Sequence, residues 1–345
     1  MWKKIRFVLT LLYARILKKN IPVCVGLHVT NRCNFNCIYC YGNYPEKHEE
    51  EIKTPQILRL IGELSAMGTS WLTISGGEPL LREDIELIVD EIKKQKLICS
   101  INTNASLIEK KIEVVKKIDY ITLSIDGDEA ANDANRGSGT YKSIMKGIDC
   151  LQKNNISFDA VAVITKNNVG SIETLLELAE EKGFCIEFNF LQDQDVKEQD
   201  HSNFVLSDEE IKETLKKLIQ YKKEGRPIFY ALSSRQYALD WPVSYQEKIL
   251  FRDVDGFSPM ECSMGKLMCH IDVDGKVYPC IQLAGKFPAL SYAEHGFKKA
   301  WENLAEKRNC RSCYAVCYAE FNQILSLTPK VWMNTVSQMI RNNFY

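Results

Sequence analysis

Short apolar runs alternate with longer segments of helical period over the first half of the chain. The strand-like runs are Cys24–Thr30, Trp71–Ser75, Leu97–Asn102, Tyr120–Ile125, Ser157–Ile164 and Cys185–Phe190. Helical spacing predicts helices over Pro55–Ala66, Asp84–Lys94, Tyr141–Lys153 and Ser171–Lys182. Strict alternation predicts a parallel sheet, and nearly continuous apolar runs predict strands covered on both faces. We therefore predict an α/β protein that contains a partial (βα)6 TIM-type barrel and a small cysteine-rich C-terminal domain.

The pattern changes after Leu191, which allows five segments to be predicted. These are a basic amphipathic helix over 1–20, the barrel over 21–191, a linker with a helix over 192–255, a cysteine-rich domain over 256–325 and a tail over 326–345. Residues 192–203 are polar and are predicted to form a loop, after which Ser207 and Glu210 form a capping box for a helix from Asp208 to about Lys223. The cysteine-rich segment is rich in turns, so it is expected to depend on a metal more than on a large core.

Composition narrows the class of protein. The chain has 345 residues, of which 45% are hydrophobic and 26% charged, which is ordinary globular composition. The net charge of −1 gives no case for a nucleic-acid partner. The 13 cysteines are odd in number and cluster along a chain without a secretory signal, which favours metal binding over a disulfide scaffold.

Charge is unevenly distributed along the chain. The first 45 residues contain seven basic side chains and no acidic one. Residues 1–19 are therefore interpreted either as a helix that contacts an anionic membrane surface or as a helix packed on the barrel exterior. The tail over 326–345 can likewise be interpreted as packed on the barrel exterior. We expect a cytoplasmic protein, with peripheral contact at the inner membrane face under the first interpretation.

Three cysteines follow the first predicted strand within eight residues. Cys33, Cys37 and Cys40 have the spacing C-x3-C-x2-C and lie at the barrel rim, where parallel barrels carry their chemistry. Three thiolates can bind three irons of a cubane cluster and leave the fourth iron open. The alternatives are a zinc site completed by a distant ligand, and unreactive buried cysteines.

This loop resembles the signature of the radical S-adenosylmethionine superfamily, in which an aromatic residue precedes the third cysteine. Tyr39 occupies that position. The resemblance implies a [4Fe-4S] cluster bound by the three cysteines and by S-adenosylmethionine. It also implies that Gly76, Gly77 and Glu78, which end the second strand, bind the amino group of that cofactor. Glycines permit close backbone approach, and a carboxylate can pair with an ammonium group.

Further cofactor-binding positions are implied by weaker matches at later strand ends. Asn102 and Asn104 end the third strand, and Ser124 and Asp126 end the fourth. Arg136 resembles the arginine that binds the cofactor carboxylate, and Val163 flanks the adenine. The alternative for each polar position is turn or capping chemistry.

The last quarter of the chain holds a second group of cysteines: Cys262, Cys269, Cys280, Cys310, Cys313 and Cys317. Their pattern resembles a shortened SPASM or twitch-like domain, which implies one auxiliary [4Fe-4S] cluster. The preferred ligands are Cys262, Cys280, Cys310 and Cys313, followed by Cys317 and then Cys269, and a structural zinc site is the alternative. Asp274-Gly275 predicts a hairpin turn. The remaining cysteines, Cys24, Cys99, Cys150 and Cys185, are interpreted as small core residues.

Together these features predict an enzyme. The resemblance implies reductive cleavage of S-adenosylmethionine to a 5′-deoxyadenosyl radical, hydrogen abstraction from a peptide, small-molecule or lipid-precursor substrate, and an electron donor such as flavodoxin or ferredoxin. The alternative is a non-catalytic iron–sulfur or zinc protein with a structural or electron-transfer role.

Overall fold

The computed structural model describes residues 2–40, 51–191, 203–307 and 309–341. Its helices are α1 Trp2–Ile16, α2 Thr54–Ala66, α3 Ile85–Lys94, α4 Ile112–Val115, α5 Glu129–Arg136, α6 Thr140–Lys153, α7 Ile172–Lys182, α8 Asp208–Lys223, α9 Leu232–Leu239, α10 Tyr292–His295, α11 Phe297–Lys307, α12 Val316–Leu325 and α13 Pro329–Arg341. Its strands are β1 Cys24–His28, β2 Trp71–Ser75, β3 Ile98–Thr103, β4 Tyr120–Ser124, β5 Asp159–Ile164, β6 Cys185–Phe190, β7 Ile249–Leu250, β8 Met268–Ile271, β9 Lys276–Tyr278, β10 Leu290–Ser291 and β11 Ser312–Cys313. All six predicted strands and all four predicted barrel helices are present, with ends shifted by a few residues.

The chain divides into two compact units. The first comprises Met1–Asn36, Gly42–Thr122 and Ser263–Arg308, and the second comprises Cys37–Tyr41, Leu123–Cys262 and Asn309–Tyr345. In the first unit the strand order is β10-β9-β8-β1-β2-β3, with β4 next to β3. In the second unit β5 pairs with β6 in parallel, and Ile125, just beyond β4, donates its N–H to the Val161 carbonyl of β5 at 3.0 Å.

The cysteine-rich segment contributes three strands to the sheet of the first unit. β8 lies parallel to β1, with Gly26 opposite His270, and β9 turns back antiparallel to β8. Gly275 has a φ of +81° in the connecting turn, as the predicted hairpin requires, because the left-handed region favours glycine. The hairpin prediction is confirmed, whereas the pairing of this segment with β1 was not anticipated.

Several local predictions can be compared with the structure. Ser207 caps α8 and forms the predicted capping box with Glu210. Cys24, Cys99 and Cys185 are buried, as core residues should be, but Cys150 on α6 is only partly buried. Residues 192–202 of the predicted polar loop lie outside the described residues. In the described part of the chain, no helix is both long enough and apolar enough to cross a bilayer.

The two helices nearest the ends of the chain both leave apolar side chains in solvent. α1 packs on the first unit through Phe7, Leu11 and Ala14. On α13 the exposed apolar residues are Met333, Val336 and Ile340. The packing of α1 on the first unit agrees with the interpretation that residues 1–19 form a helix packed on the barrel exterior. The opposite face of this helix is exposed.

Candidate active site

The three cysteines of the predicted cluster loop follow β1 and are partly exposed. In the first unit, the sulfur of Cys33 accepts an N–H from Phe35 at 3.5 Å and another from the side chain of Asn104 at 3.9 Å. In the second unit, the Cys40 N–H donates to the Cys37 carbonyl at 3.1 Å. N–H groups directed at a cysteine sulfur favour the thiolate, which is the form that binds iron. The donor set therefore fits an iron–sulfur cluster, although no three His, Cys, Asp or Glu side chains of the described residues form a ready metal site.

The glycines of the motif Gly76-Gly77-Glu78-Pro79 lie against the backbone of Thr30 and Arg32, which lead into the cysteine loop. Gly77 donates its N–H to the Thr30 carbonyl at 2.9 Å, and Glu78 donates to the Arg32 carbonyl at 2.8 Å. A Cβ atom would lie 2.4 Å from the Thr30 carbonyl oxygen at Gly76 and 2.2 Å from the Arg32 carbonyl oxygen at Gly77. Only residues without a side chain fit this contact, so the motif and the segment before Cys33 are placed together by backbone geometry.

The carboxylate of Glu78 is fully buried and bonded within the first unit. It accepts hydrogen bonds from the Leu80 N–H at 3.0 Å, the Thr103 hydroxyl at 2.8 Å and the Asn104 N–H at 2.7 Å. Burial raises the pKa of Glu78 to about 7, although these hydrogen bonds act in the opposite direction. The side chain thus ties the end of β2 to the end of β3, and its pairing with the cofactor amino group stays a prediction.

Asp126 collects several predicted residues into one buried network in the second unit. Its carboxylate forms a two-pronged ion pair with Arg136, at 3.0 Å to Nη2 and 2.9 Å to Nε. It also accepts the Tyr39 hydroxyl and, at 3.0 Å, the Val163 N–H. Burial alone would lower the pKa of Arg136, but the adjacent Asp126 carboxylate raises it above its usual range. The structure thus brings four predicted cofactor-binding residues together, because three of them bond to the carboxylate of the fourth, Asp126.

Two other predicted positions lie apart from these hydrogen-bonded groups. Asn102 is exposed on β3 in the first unit, and Ser124 is partly exposed at the end of β4 in the second unit. Both residues were predicted as candidates because they lie at strand ends. Their side chains are accessible, as contact with a cofactor requires. Their roles stay predictions.

One face of the sheet in the first unit carries polar residues that sequence reasoning missed. His270, Gly26, Thr73 and Ser100 lie in register across β8, β1, β2 and β3. Thr73 and Ser100 share a hydrogen bond of 2.7 Å, and the Trp71 indole donates to Ser100 at 2.8 Å. β2 alternates between buried and partly exposed residues, in contrast to the predicted strand covered on both faces. The alternation of aliphatic residues with other residues in Trp71–Ser75 was the sequence feature that could have predicted this polar face.

The imidazole of His270 lies directly over a glycine of β1. A Cβ atom at Gly26 would be 2.5 Å from the ring, and Nδ1 of His270 is buried without a hydrogen-bond partner in the described residues. Burial lowers the pKa of His270 to about 3, and the nearby His28 adds to that effect. His270 is therefore neutral at physiological pH and presents an imidazole on the polar face.

The second group of cysteines is divided between the units. Cys269 and Cys280 belong to the first unit and are buried, whereas the other four belong to the second unit and are partly exposed: Cys262, Cys310, Cys313 and Cys317. In the second unit, the Tyr237 hydroxyl accepts the Met260 N–H at 3.2 Å and hydrogen-bonds the Ser312 hydroxyl. One tyrosine thus holds the segments that carry Cys262 and Cys313.

A buried ionic network near Cys317 was also missed by sequence reasoning. Arg235 of α9 is fully buried and pairs with Glu187 of β6, while Glu320 of α12 accepts the Ala231 N–H at 3.0 Å and the Ser234 hydroxyl. Cys317 lies one helical turn before Glu320, and burial raises the pKa of the Cys317 thiol to about 12. No motif marks these residues, because long-range packing alone brings them together.

Comparison with known proteins supports the cofactor chemistry. Residues 27–179 match the model of the radical SAM superfamily. The chain is 28% identical over 316 residues to the AdoMet-dependent heme synthase of Methanosarcina barkeri, covering 86% of each chain. It is 25% identical over 313 residues to the mycofactocin maturase MftC of Mycobacterium ulcerans, covering 84% of this chain and 77% of that one.

Solved structures support the fold. SuiB of Streptococcus suis bound to S-adenosylmethionine superposes with a TM-score of 0.63 at 19% identity, covering 84% of this chain and 68% of that one. A second structure of SuiB, bound to the precursor peptide SuiA, gives a TM-score of 0.62 with coverage of 84% and 67%. The predicted partial (βα)6 TIM-type barrel and cysteine-rich C-terminal region are thereby confirmed. By its family match, its cysteine loop and its fold, this chain is a member of the radical SAM superfamily, whose enzymes bind a [4Fe-4S] cluster and S-adenosylmethionine.

Proposed function

We propose that Cys33, Cys37 and Cys40 hold the [4Fe-4S] cluster at which this enzyme cleaves S-adenosylmethionine. When bound, a reduced cubane with one open iron would supply the single electron needed to cleave S-adenosylmethionine to methionine and a 5′-deoxyadenosyl radical. The observation that carries the proposal is the close packing of Gly76 and Gly77 on the backbone of the cysteine loop. This contact joins the two glycines to the residues that lead into Cys33, which supports a cofactor site formed by both motifs.

The remaining candidates bind and orient the cofactor. Arg136 supplies a permanently charged guanidinium, and Asp126 fixes its orientation. Asp126 also fixes Tyr39, which precedes Cys40, and the backbone of Val163. Gly76 and Gly77 offer backbone groups, and Asn102, Asn104 and Ser124 are further candidates from adjacent strand ends. A cytoplasmic flavodoxin or ferredoxin is the proposed electron donor.

The test is anaerobic reconstitution followed by incubation with dithionite and S-adenosylmethionine. Wild-type protein should form 5′-deoxyadenosine, and Cys33→Ala should abolish it. Cys150→Ala is the matched control, because this cysteine is also partly buried but lies outside both predicted clusters. If wild-type protein forms no more 5′-deoxyadenosine than the cluster-free sample, the proposed function is wrong.

We also propose one auxiliary [4Fe-4S] cluster in the domain over 256–325. Cys262, Cys280, Cys310 and Cys313 are the preferred ligands, with Cys317 and then Cys269 as the next candidates. The anchoring of the Cys262 and Cys313 segments by Tyr237 supports two of these ligands. Iron analysis should give about eight irons per chain for two cubanes and about four if only the first is present. Four irons together with one zinc would favour the structural zinc site instead.

Among the substrate classes, we propose a peptide. The complex of SuiB with the precursor peptide SuiA supports this class, whereas the heme synthase supports a tetrapyrrole. The polar sheet face defined by His270, Thr73 and Ser100 supports the peptide, because the hydroxyl groups of Thr73 and Ser100 can hydrogen-bond backbone amides.

The substrate test follows hydrogen transfer to 5′-deoxyadenosine. A peptide extract from the source organism, grown in deuterated medium, should donate deuterium to 5′-deoxyadenosine, and protease digestion of the extract should remove the effect. An iron porphyrin that carries carboxylate side chains is the matched probe for the other class. If that porphyrin stimulates cleavage and the peptide extract does not, the peptide assignment is wrong.

We propose in addition that α1 contacts an anionic membrane surface. Every exposed residue of this helix is apolar or aromatic, and the five lie at helical spacing: Trp2, Ile5, Leu9, Tyr13 and Ile16. Lys3 and Arg6 bond instead to the body of the first unit, through Asp119 and the Gln95 carbonyl. Two exposed lysines, Lys18 and Lys19, follow the helix and complement anionic lipid.

Vesicle co-sedimentation tests this contact. Wild-type protein should bind phosphatidylcholine–phosphatidylglycerol vesicles more than pure phosphatidylcholine vesicles, and Leu9→Glu should weaken the binding. Leu87→Glu is the matched control, since Leu87 is an equally exposed leucine on α3. Binding that Leu9→Glu leaves unchanged would exclude the α1 contact.

A further inference from the structure

The side-chain amide of Asn104 lies beside the first cysteine of the cluster loop. Its Nδ2 atom is 3.9 Å from the sulfur of Cys33, and the same atom donates to Oδ1 of Asn34 at 2.9 Å. All three residues belong to the first unit. The sequence placed Asn104 among the groups that contact the cofactor, but here its amide turns to a cluster ligand.

The orientation of this amide is determined by its neighbours. Oδ1 of Asn104 accepts the Ser106 N–H at 3.0 Å and the Ser106 hydroxyl at 2.6 Å. The hydroxyl of Ser106 in turn accepts Nδ2 of Asn34 at 2.9 Å, which closes a ring of hydrogen bonds. A flipped Asn104 amide would place its oxygen against Oδ1 of Asn34 and its NH2 against the Ser106 N–H, so the network requires the N–H to face Cys33.

The backbone of Asn104 is held equally firmly. The buried carboxylate of Glu78 accepts the Asn104 N–H at 2.7 Å and the neighbouring Thr103 hydroxyl at 2.8 Å. Asn104 itself is only 7% exposed, so water competes little for its donor. The N–H is thus fixed in position and orientation by neighbouring protein groups, as expected for groups that tune a metal site.

We propose that the Asn104 amide raises the reduction potential of the cluster held by Cys33, Cys37 and Cys40. The inference rests on the proposed function. Reduction adds negative charge to the cluster and its sulfurs, and an N–H dipole directed at Cys33 stabilises that charge. Asn104 is therefore a positioning residue that makes reduction of the cluster more favourable.

The experiment is an electron paramagnetic resonance redox titration of reconstituted protein. The signal that changes when S-adenosylmethionine is added identifies the first cluster. Asn104→Ala should lower the equilibrium constant for its reduction about two- to tenfold, the range expected for one hydrogen bond. Asn104→Asp keeps the acceptor for Ser106 but replaces the donor by a negative oxygen, so it should lower the constant at least as much.

Two further variants make the test specific. Asn154 donates to the Cys150 sulfur at 3.8 Å, a similar contact to a cysteine outside both predicted clusters, so Asn154→Ala should leave the potential unchanged. Ser106→Ala removes one of the two donors that orient the Asn104 amide and should shift the potential in the same direction by a smaller amount.

The outcomes separate the inference from the function on which it rests. An unchanged or raised potential in Asn104→Ala, with full iron content and an intact response to S-adenosylmethionine, overturns the inference alone. If both Asn104 variants lose the cluster, an unchanged potential in Ser106→Ala also overturns it. If wild-type protein shows no signal that responds to S-adenosylmethionine, the proposed function itself fails.

Discussion

Gly77 and Arg32 lie in contact at the end of β2, so closely that a Cβ atom at position 77 would be 2.2 Å from the Arg32 carbonyl oxygen. Both residues contribute backbone atoms to this contact, so no flexible side chain can move to relieve it. The contact therefore couples the Gly-Gly-Glu-Pro motif directly to the cysteine loop.

We predict that Gly77→Ala displaces the segment that precedes Cys33. Iron content and 5′-deoxyadenosine formation should both fall severely, because the added methyl group forces the backbone apart. Gly62→Ala is the matched control, since a Cβ atom at this position of α2 has no neighbour within 4 Å. That control should keep full activity and gain about 0.5–1 kcal/mol of stability from helix propensity. Normal iron loading in Gly77→Ala would contradict the close contact.

We predict that Asp126→Asn strongly destabilises the second unit. The substitution leaves the Arg136 guanidinium buried without its counter-charge, which typically costs about 3–5 kcal/mol. Thermal unfolding measures the loss, and equilibrium dialysis should show weaker binding of S-adenosylmethionine. Glu129→Gln is the control, because it removes an exposed ion pair with Lys142, worth at most about 1 kcal/mol. Equal stability of the two variants would contradict a buried ionic role for Asp126.

Glu78 should make stability depend on pH with a defined sign. Its pKa is raised from 4.5 to about 7 on folding, so the folded state binds more protons than the unfolded state between these values. The contribution of Glu78 to the free energy of unfolding is therefore largest below about pH 4.5. It falls by up to about 3 kcal/mol as the pH rises to about 7. Burial raises the pKa of Glu320 to about 7 as well, so it adds a contribution of the same sign.

The measurement is the free energy of unfolding of wild type and Glu78→Gln at pH 5 and pH 8. The difference between the two proteins should move in favour of the variant at the higher pH, because only the wild type must ionise a buried carboxyl there. Glu113→Gln, on an exposed residue of α4, should show no such change. A pH-independent difference for Glu78→Gln would show that burial does not raise the pKa of Glu78.

Gly26 and His270 should be coupled energetically. Gly26→Ala alone should destabilise the protein by about 1–3 kcal/mol, because the new methyl group meets the imidazole at 2.5 Å. In Gly26→Ala/His270→Ala the clash is absent, so part of the loss should be recovered. A double-mutant cycle from chemical unfolding measures the coupling. Strict additivity of the two substitutions would show that the ring does not lie over Gly26.

Much of the fold could be predicted because local patterns carry it. Six apolar runs and the helices between them define the βα repeats, and Ser207 with Glu210 marks the start of α8. The pairing of β8 with β1 was not predictable in this way, since Met268–Ile271 is short and its partner lies more than 200 residues earlier. Non-local strand pairing depends on packing that no local period records.

The candidate site shows the same division. The cysteine spacing, the Gly-Gly-Glu-Pro motif and hence the class of cofactor could be read from the amino-acid order alone, because these depend on residue types at short, fixed separations. The folded chain was needed to show that Glu78 is enclosed by Leu80, Thr103 and Asn104, and that Asp126 bonds to Tyr39, Arg136 and Val163. The physical reason is that a hydrogen bond depends on distance and direction in space, and folding sets both between residues that are far apart along the chain.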